Sequence, residues 1–138
     1  MKFLVDANVL SEPTKPVPEP LVVQWLRENE SDLAITPIVL GELQYGILLL
    51  PFGRRRQRLE KWFAAGVQRL RVLDFDADAA AAWARLLADL KMKGLAMSVK
   101  DSLIAATALA HGLAVSTRNI SDFRHAGVRL VNPFEIQT

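Results

Sequence analysis

The sequence predicts an α/β fold: a central parallel sheet of about four to five strands, flanked by helices. Three observations point there. The strand candidates are short and wholly apolar, as in strands covered on both faces. Stretches with helical spacing of apolar residues separate them. Caps and breakers (Thr36-Pro37, Pro51, Gly53, Asp76, Gly94, Ser98 and Gly112) mark where those stretches start and stop.

Lys2–Val5 reads as a buried strand closed by Asp6-Ala7-Asn8. Glu12–Pro20 holds four prolines and reads as a loop, because proline fixes φ and removes a donor. Leu21–Asn29 carries Leu21, Val22, Trp25 and Leu26 on one helical stripe. Leu33–Ile35 is the second strand candidate. Thr36 caps a helix with proline at its first position, running to about Leu50. Arg54–Leu70 is helical, with Leu59, Trp62, Phe63, Val67 and Leu70 on its apolar side. Arg71–Phe75 is the third strand. Asp76 caps an alanine-rich helix to Lys93, and a further helix runs from near Ser98 to His111-Gly112. Leu113–Thr117 and Val128–Val131 complete the strands. No repeat or linker divides the chain, so one domain over residues 1–138 is expected.

Composition narrows the function. With 138 residues and 51% hydrophobic residues, the chain can bury a sizeable core. The absence of cysteine removes disulfides, thiolate metal sites and thiol nucleophiles. A carboxylate follows only three apolar residues at the start, too few for a secretory signal, and no apolar run is long enough to span a bilayer. A soluble cytoplasmic protein with no membrane partner is expected. The net charge is +2, but Arg54, Arg55, Arg56, Arg58 and Lys61 crowd one segment, and Lys91, Lys93 and Lys100 another. Such clusters attract phosphate backbones, with a solvated helix face as the plainer alternative.

In open α/β sheets ligands bind at the carboxyl ends of the strands, so the position of each acid is informative. Asp6 ends the first strand, where a turn role is the alternative. Glu42 has Ile38, Val39, Tyr45 and Gly46 as helical neighbours, none of them basic. On a buried face it needs a proton, a distant cation or a metal, with a solvated Glu at the rim of the sheet as the alternative. Asp101 fits a capping box with Ser98, yet Ile104, Ala105 and Ala108 put it on the stripe facing the sheet. Arg118–Asp122 carries Asn119 and Asp122 to the same edge. Several carboxylates within ~4–6 Å resist joint ionisation, and a hard divalent cation resolves the conflict. Oxygen ligands without His or Cys point to Mg²⁺ or Mn²⁺ rather than Zn²⁺. Asn8 and Thr117 are supporting polar candidates, with turn and strand-end roles as alternatives.

Other constellations fail. Asp74-Phe75-Asp76-Ala77-Asp78 begins like a calcium loop, but Ala79 stands where glycine is needed and Arg85 where the closing Glu belongs. His111 and His125 lack zinc spacing, and no Gly-rich phosphate loop follows the first strand.

Four segments together resemble one known family. Phe3–Leu10 (FLVDANVL), Ile35–Ile47 (ITPIVLGELQYGI), Asp101–Ala108 (DSLIAATA) and Ser116–Phe123 (STRNISDF) are similar to the motifs of PIN-domain toxins of the VapC type, in the same order. The resemblance implies a doubly wound α/β sandwich and a Mg²⁺- or Mn²⁺-dependent endoribonuclease acting on RNA such as tRNA. It also implies a homodimer and a cognate VapB-type antitoxin, with DNA bound only through that antitoxin. The family's acidic positions map to Asp6, Glu42 and Asp101, with the fourth at Asp122 or replaced by Asn119. Arg54, Arg55, Arg56, Arg58 and Arg118 would hold the RNA backbone. The apolar run Ile47–Phe52 is a candidate partner groove, with burial as the alternative.

Two other classes compete. A small-phosphoester phosphohydrolase usually has a second Asp two residues after the strand-end Asp, where this chain has Asn8. A non-catalytic binding module would have no need of an intact acidic set.

Overall fold

The computed structural model describes residues 1–137. In chain order the elements are β1 (Phe3–Val5), α1 (Ala7–Leu10), α2 (Pro20–Glu28), β2 (Leu33–Ile35), α3 (Pro37–Leu48), α4 (Arg54–Ala65), β3 (Arg71–Val72), α5 (Ala77–Met92), α6 (Val99–His111), β4 (Ala114–Ser116), α7 (Ile120–Phe123) and β5 (Leu130–Val131). Single 3₁₀ turns cover Glu12–Thr14, Glu30–Asp32 and Val67–Arg69.

All strand pairs are parallel, in the order β3-β2-β1-β4-β5. β1 is central, with Phe3 opposite Leu33 on one side and Ala114 on the other. The chain steps outward from β1 to β2 and β3, then returns across the sheet to β4. This reversal makes the gap between β1 and β4 the topological switch point. Right-handed crossovers put the helices before and after a reversal on opposite faces. Accordingly α1, α3 and α4 pack together, as do α5, α6 and α7.

The strands are short because each needs only to cross the core. Leu4, Val5, Ala34, Ile35 and Val115 are fully buried. Alanines at 105, 106 and 108 let α6 lie close to the sheet and to α5. Phe3 and Trp25 close the opposite side edge to face, 4.9 Å between centroids.

The helix signals hold. Thr36 Oγ1 accepts from the Val39 amide at 3.2 Å, Asp76 Oδ1 from Ala79 at 2.9 Å, and Ser98 Oγ from Asp101 at 3.2 Å. Four details differ. The helix expected to run from Arg54 to Leu70 stops at Ala65, where Gly66 breaks it and a 3₁₀ turn follows. The outer strands are two residues each, since an edge strand pairs on one side only. The loop after Ser11 begins with a 3₁₀ turn. The one-turn helices α1 and α7 had too few residues to show a period.

Candidate metal and nuclease site

Asp6 leaves β1 at the switch point and is 5% exposed. Its Oδ1 accepts the Ala7 amide at 2.9 Å, capping α1. Its Oδ2 accepts the Thr117 hydroxyl at 2.8 Å, so one hydrogen bond spans the gap between the ends of β1 and β4. The same hydroxyl accepts the Asn119 amide at 3.1 Å. Asn8 Oδ1 accepts the Arg118 amide at 3.1 Å, while its Nδ2 lies 3.4 Å from Asp6 Oδ2. The turn and functional readings of Asp6 are thus compatible, because a carboxylate has room for both. Asn8 and Thr117 orient the acid, and the Asn119 backbone is tied into the same network.

Asp101 stands in the first turn of α6, half-buried. Burial, above all, pushes its carboxyl above the usual range, and the negative charges of Asp6 and Asp122 push the same way, against Ser98 and Lys100. Asp6 and Asp122 thus lie within electrostatic reach of Asp101. Asp122 sits exposed in α7, with Asn119, also exposed, preceding it.

Glu42 reaches this edge from the opposite helical layer. Its side chain is 28% exposed, nearer the rim alternative than a fully buried face, and its partner is a distant cation, one of the three compensations expected of it. Lys100 Nζ donates to Glu42 Oε2 at 2.9 Å, joining α6 to α3 over the carboxyl edge of the sheet. The other oxygen, Oε1, is buried without a hydrogen-bond partner. Among the described residues, no three His, Cys, Asp or Glu side chains stand close enough together to hold a metal ion. The donor set nevertheless fits a hard divalent cation. It consists of carboxylate oxygens, one of them buried and unpartnered, and burial together with the charges of Asp6 and Asp122 raises the proton affinity of Asp101.

A groove of about 290 Å³ leads away from the acids, lined by Asn8, Glu42, Gly46, Leu50, Arg55 and Trp62 among others. Of the arginines expected to meet RNA, Arg54, Arg55 and Arg58 are exposed and Arg55 faces this groove. Arg56 is engaged otherwise: it pairs with Glu60 at 2.8 Å, donates to the Leu50 carbonyl and stacks 4.2 Å over Phe52. Arg118 lies 4.6 Å over the Phe134 ring. The apolar run after α3 divides: Ile47 is buried, whereas Leu48, Leu49 and Phe52 are exposed.

A buried acid, Glu12, went unread in the sequence. It is 4% exposed, pairs with Lys15 at 2.8 Å and accepts the Glu19 amide at 2.9 Å. Lys15 foremost holds its carboxyl below the usual range, and Arg118 adds to the effect. The i, i+3 spacing of Glu12 and Lys15 was the available signal.

The PIN domain family model matches residues 3–128. The chain belongs to the PIN-domain family. Among PIN-domain proteins it is 38% identical over 138 residues to the VapC ribonuclease Y4jK of Sinorhizobium fredii, covering 96% of this chain and 98% of that one. It is 36% identical over 136 residues to the toxin FitB of Neisseria gonorrhoeae, covering 96% and 98%. The structure of FitAB bound to the IR36 DNA fragment superposes with a TM-score of 0.91 at 33% identity, covering 99% of this chain and 98% of that one. The resemblance drawn from four short motifs therefore extends over the whole PIN fold.

Proposed function

We propose that this PIN-domain protein is a divalent-metal-dependent endoribonuclease and the toxin of a toxin–antitoxin pair. The observation that carries the reading is Asp6, fastened to Thr117 across the switch point, with Asp101 within reach of its charge and that of Asp122. Its likeness to a VapC ribonuclease and to the toxin FitB supports RNA as the substrate over a small phosphoester. Asp6, Glu42 and Asp101 would hold the cation, with Asp122 completing the set or orienting water. When bound, Mg²⁺ or Mn²⁺ supplies a water acidified toward neutral pH and positive charge on the scissile phosphodiester. The chain contributes orientation: Thr117 and Ala7 fix both oxygens of Asp6, so the acid pays little ordering cost when loaded. Asn8 and the backbone after Thr117 hold the rim in register. Arg54, Arg55, Arg58 and Arg118 would bind RNA phosphates along and beside the groove.

A VapB-type antitoxin would cover the groove, and the exposed Leu48, Leu49 and Phe52 at its margin suit such a partner. DNA would be met through the antitoxin, in keeping with the DNA-bound FitAB structure. A homodimer accompanies this reading. The test is cleavage of RNA in Mg²⁺ or Mn²⁺ by purified Asp6→Asn and Asp101→Asn variants, with folding checked by circular dichroism. Both are expected to lose activity by at least about a hundredfold while staying folded. Full activity in either folded variant rejects the assignment, and turnover of a generic phosphomonoester without RNA cleavage favours the phosphohydrolase.

A further inference from the structure

The cation that meets Glu42 is supplied by the chain itself. Lys100 immediately precedes Asp101 in the first turn of α6, and its ammonium bonds Glu42 Oε2 at 2.9 Å across 58 residues of sequence. It also lies within the field of Asp101 and Asp6. We propose that Lys100 is a resident cation that holds Glu42 in the metal-free protein and must release it when a divalent ion enters. This rests on the metal-site reading above and adds a competition that the acids alone do not imply.

Three features support it. Glu42 is half satisfied: Oε2 faces the ammonium while Oε1 is buried and unpartnered, so the carboxylate retains a site for a second cation. With this pair made, no three acids among the described residues stand close enough together to hold an ion. The pair is also weak enough to exchange, because the side chains of Lys100 and Glu42 are 48% and 28% exposed and water screens them. A divalent ion delivers twice the charge to the same carboxylate and to its neighbours, so it can displace the ammonium. Lys100 is thus a positioning residue that tunes how much free metal the site requires.

The experiment is calorimetric titration of Mn²⁺ into the full chain and into Lys100→Met, with Lys100→Gln as a second variant and Arg118→Met as a charge control. Arg118 is a cation whose backbone amide meets Asn8 beside the site and whose side chain stacks on Phe134. Removing the competitor is expected to tighten Mn²⁺ binding by about fivefold, the scale of one partly exposed ion pair. The Arg118 control is expected to change affinity by less than about twofold, because screening weakens a charge that makes no direct contact. Unchanged or weaker binding in the folded Lys100 variants overturns the proposal, as does an equal gain in the Arg118 control. If wild type and the Lys100 variants bind Mn²⁺ equally, the metal site stands and only the competition falls. If no chain binds Mn²⁺, both fall.

Discussion

At the scale of single residues, the site trades stability for function. Asp101 is held partly out of water near two other acids, and its carboxyl binds a proton more tightly folded than unfolded. The sign follows from linkage: with the folded value raised, ionising Asp101 costs stability. The cost is absent below the ordinary aspartate range, grows as pH rises through the raised folded value, and is complete above it. Metal-free Asp101→Asn is therefore expected to unfold at higher denaturant than wild type at neutral pH. The advantage should vanish toward acidic pH, which urea titrations at several pH values measure. Glu12 carries the opposite sign. Its carboxyl is held low by Lys15, so its stabilisation is present above the ordinary glutamate range and is lost as pH falls through the folded value.

At the scale of elements, α6 does two jobs with its two ends. Its first turn presents Lys100 and Asp101 to the site, and its last turn must hand the chain directly to β4. Gly112 makes that change of direction in a left-handed conformation, φ +67°, where the Leu113 amide donates to the Ala108 carbonyl at 2.9 Å. A Cβ there would meet nothing within 4 Å, so backbone strain alone sets the penalty. Gly112→Ala is expected to cost about 1–2 kcal/mol in chemical denaturation without changing the site acids. Because β4 ends next to Thr117, a larger destabilisation accompanied by failure to bind metal would mean that this turn also sets the register of the switch point.

At the scale of the molecule, the charge pattern is asymmetric about the sheet edge. Asp6 stands at the switch point, and the groove beside Glu42 takes in the exposed Arg55 of α4. On the proposed function, an RNA strand would follow the basic segment with one phosphodiester over the acids. Each phosphate neutralised by an arginine releases counterions, which adds ~0.7 to the steepness of the log–log salt dependence for a single strand. Arg55→Ala is expected to make that dependence shallower by about this amount, whereas Arg56→Ala should leave it nearly unchanged. Filter binding of RNA across a salt series separates the two. No helix is long and apolar enough to cross a membrane among the described residues.

Much was legible in the sequence because its causes are local. Apolar strand runs, the Thr36, Asp76 and Ser98 caps and the Gly112 stop are decided within a few residues, so the α/β class and the central helices could be read directly. Asp6 was legible as a strand-end acid, and the motif order pointed to the PIN domain that the family match then established. What the sequence could not contain was who meets whom across the sheet edge. The Thr117–Asp6 bond joins residues 111 apart, and the Lys100–Glu42 pair joins helices on opposite faces. Arg56 was indistinguishable from its neighbours until packing turned it toward Glu60 and Phe52. Local sequence determines an element's type through propensity and capping. The partners of a charged side chain are chosen by topology, because the long-range Coulomb and hydrogen-bond terms exist only once the crossovers have brought those elements together.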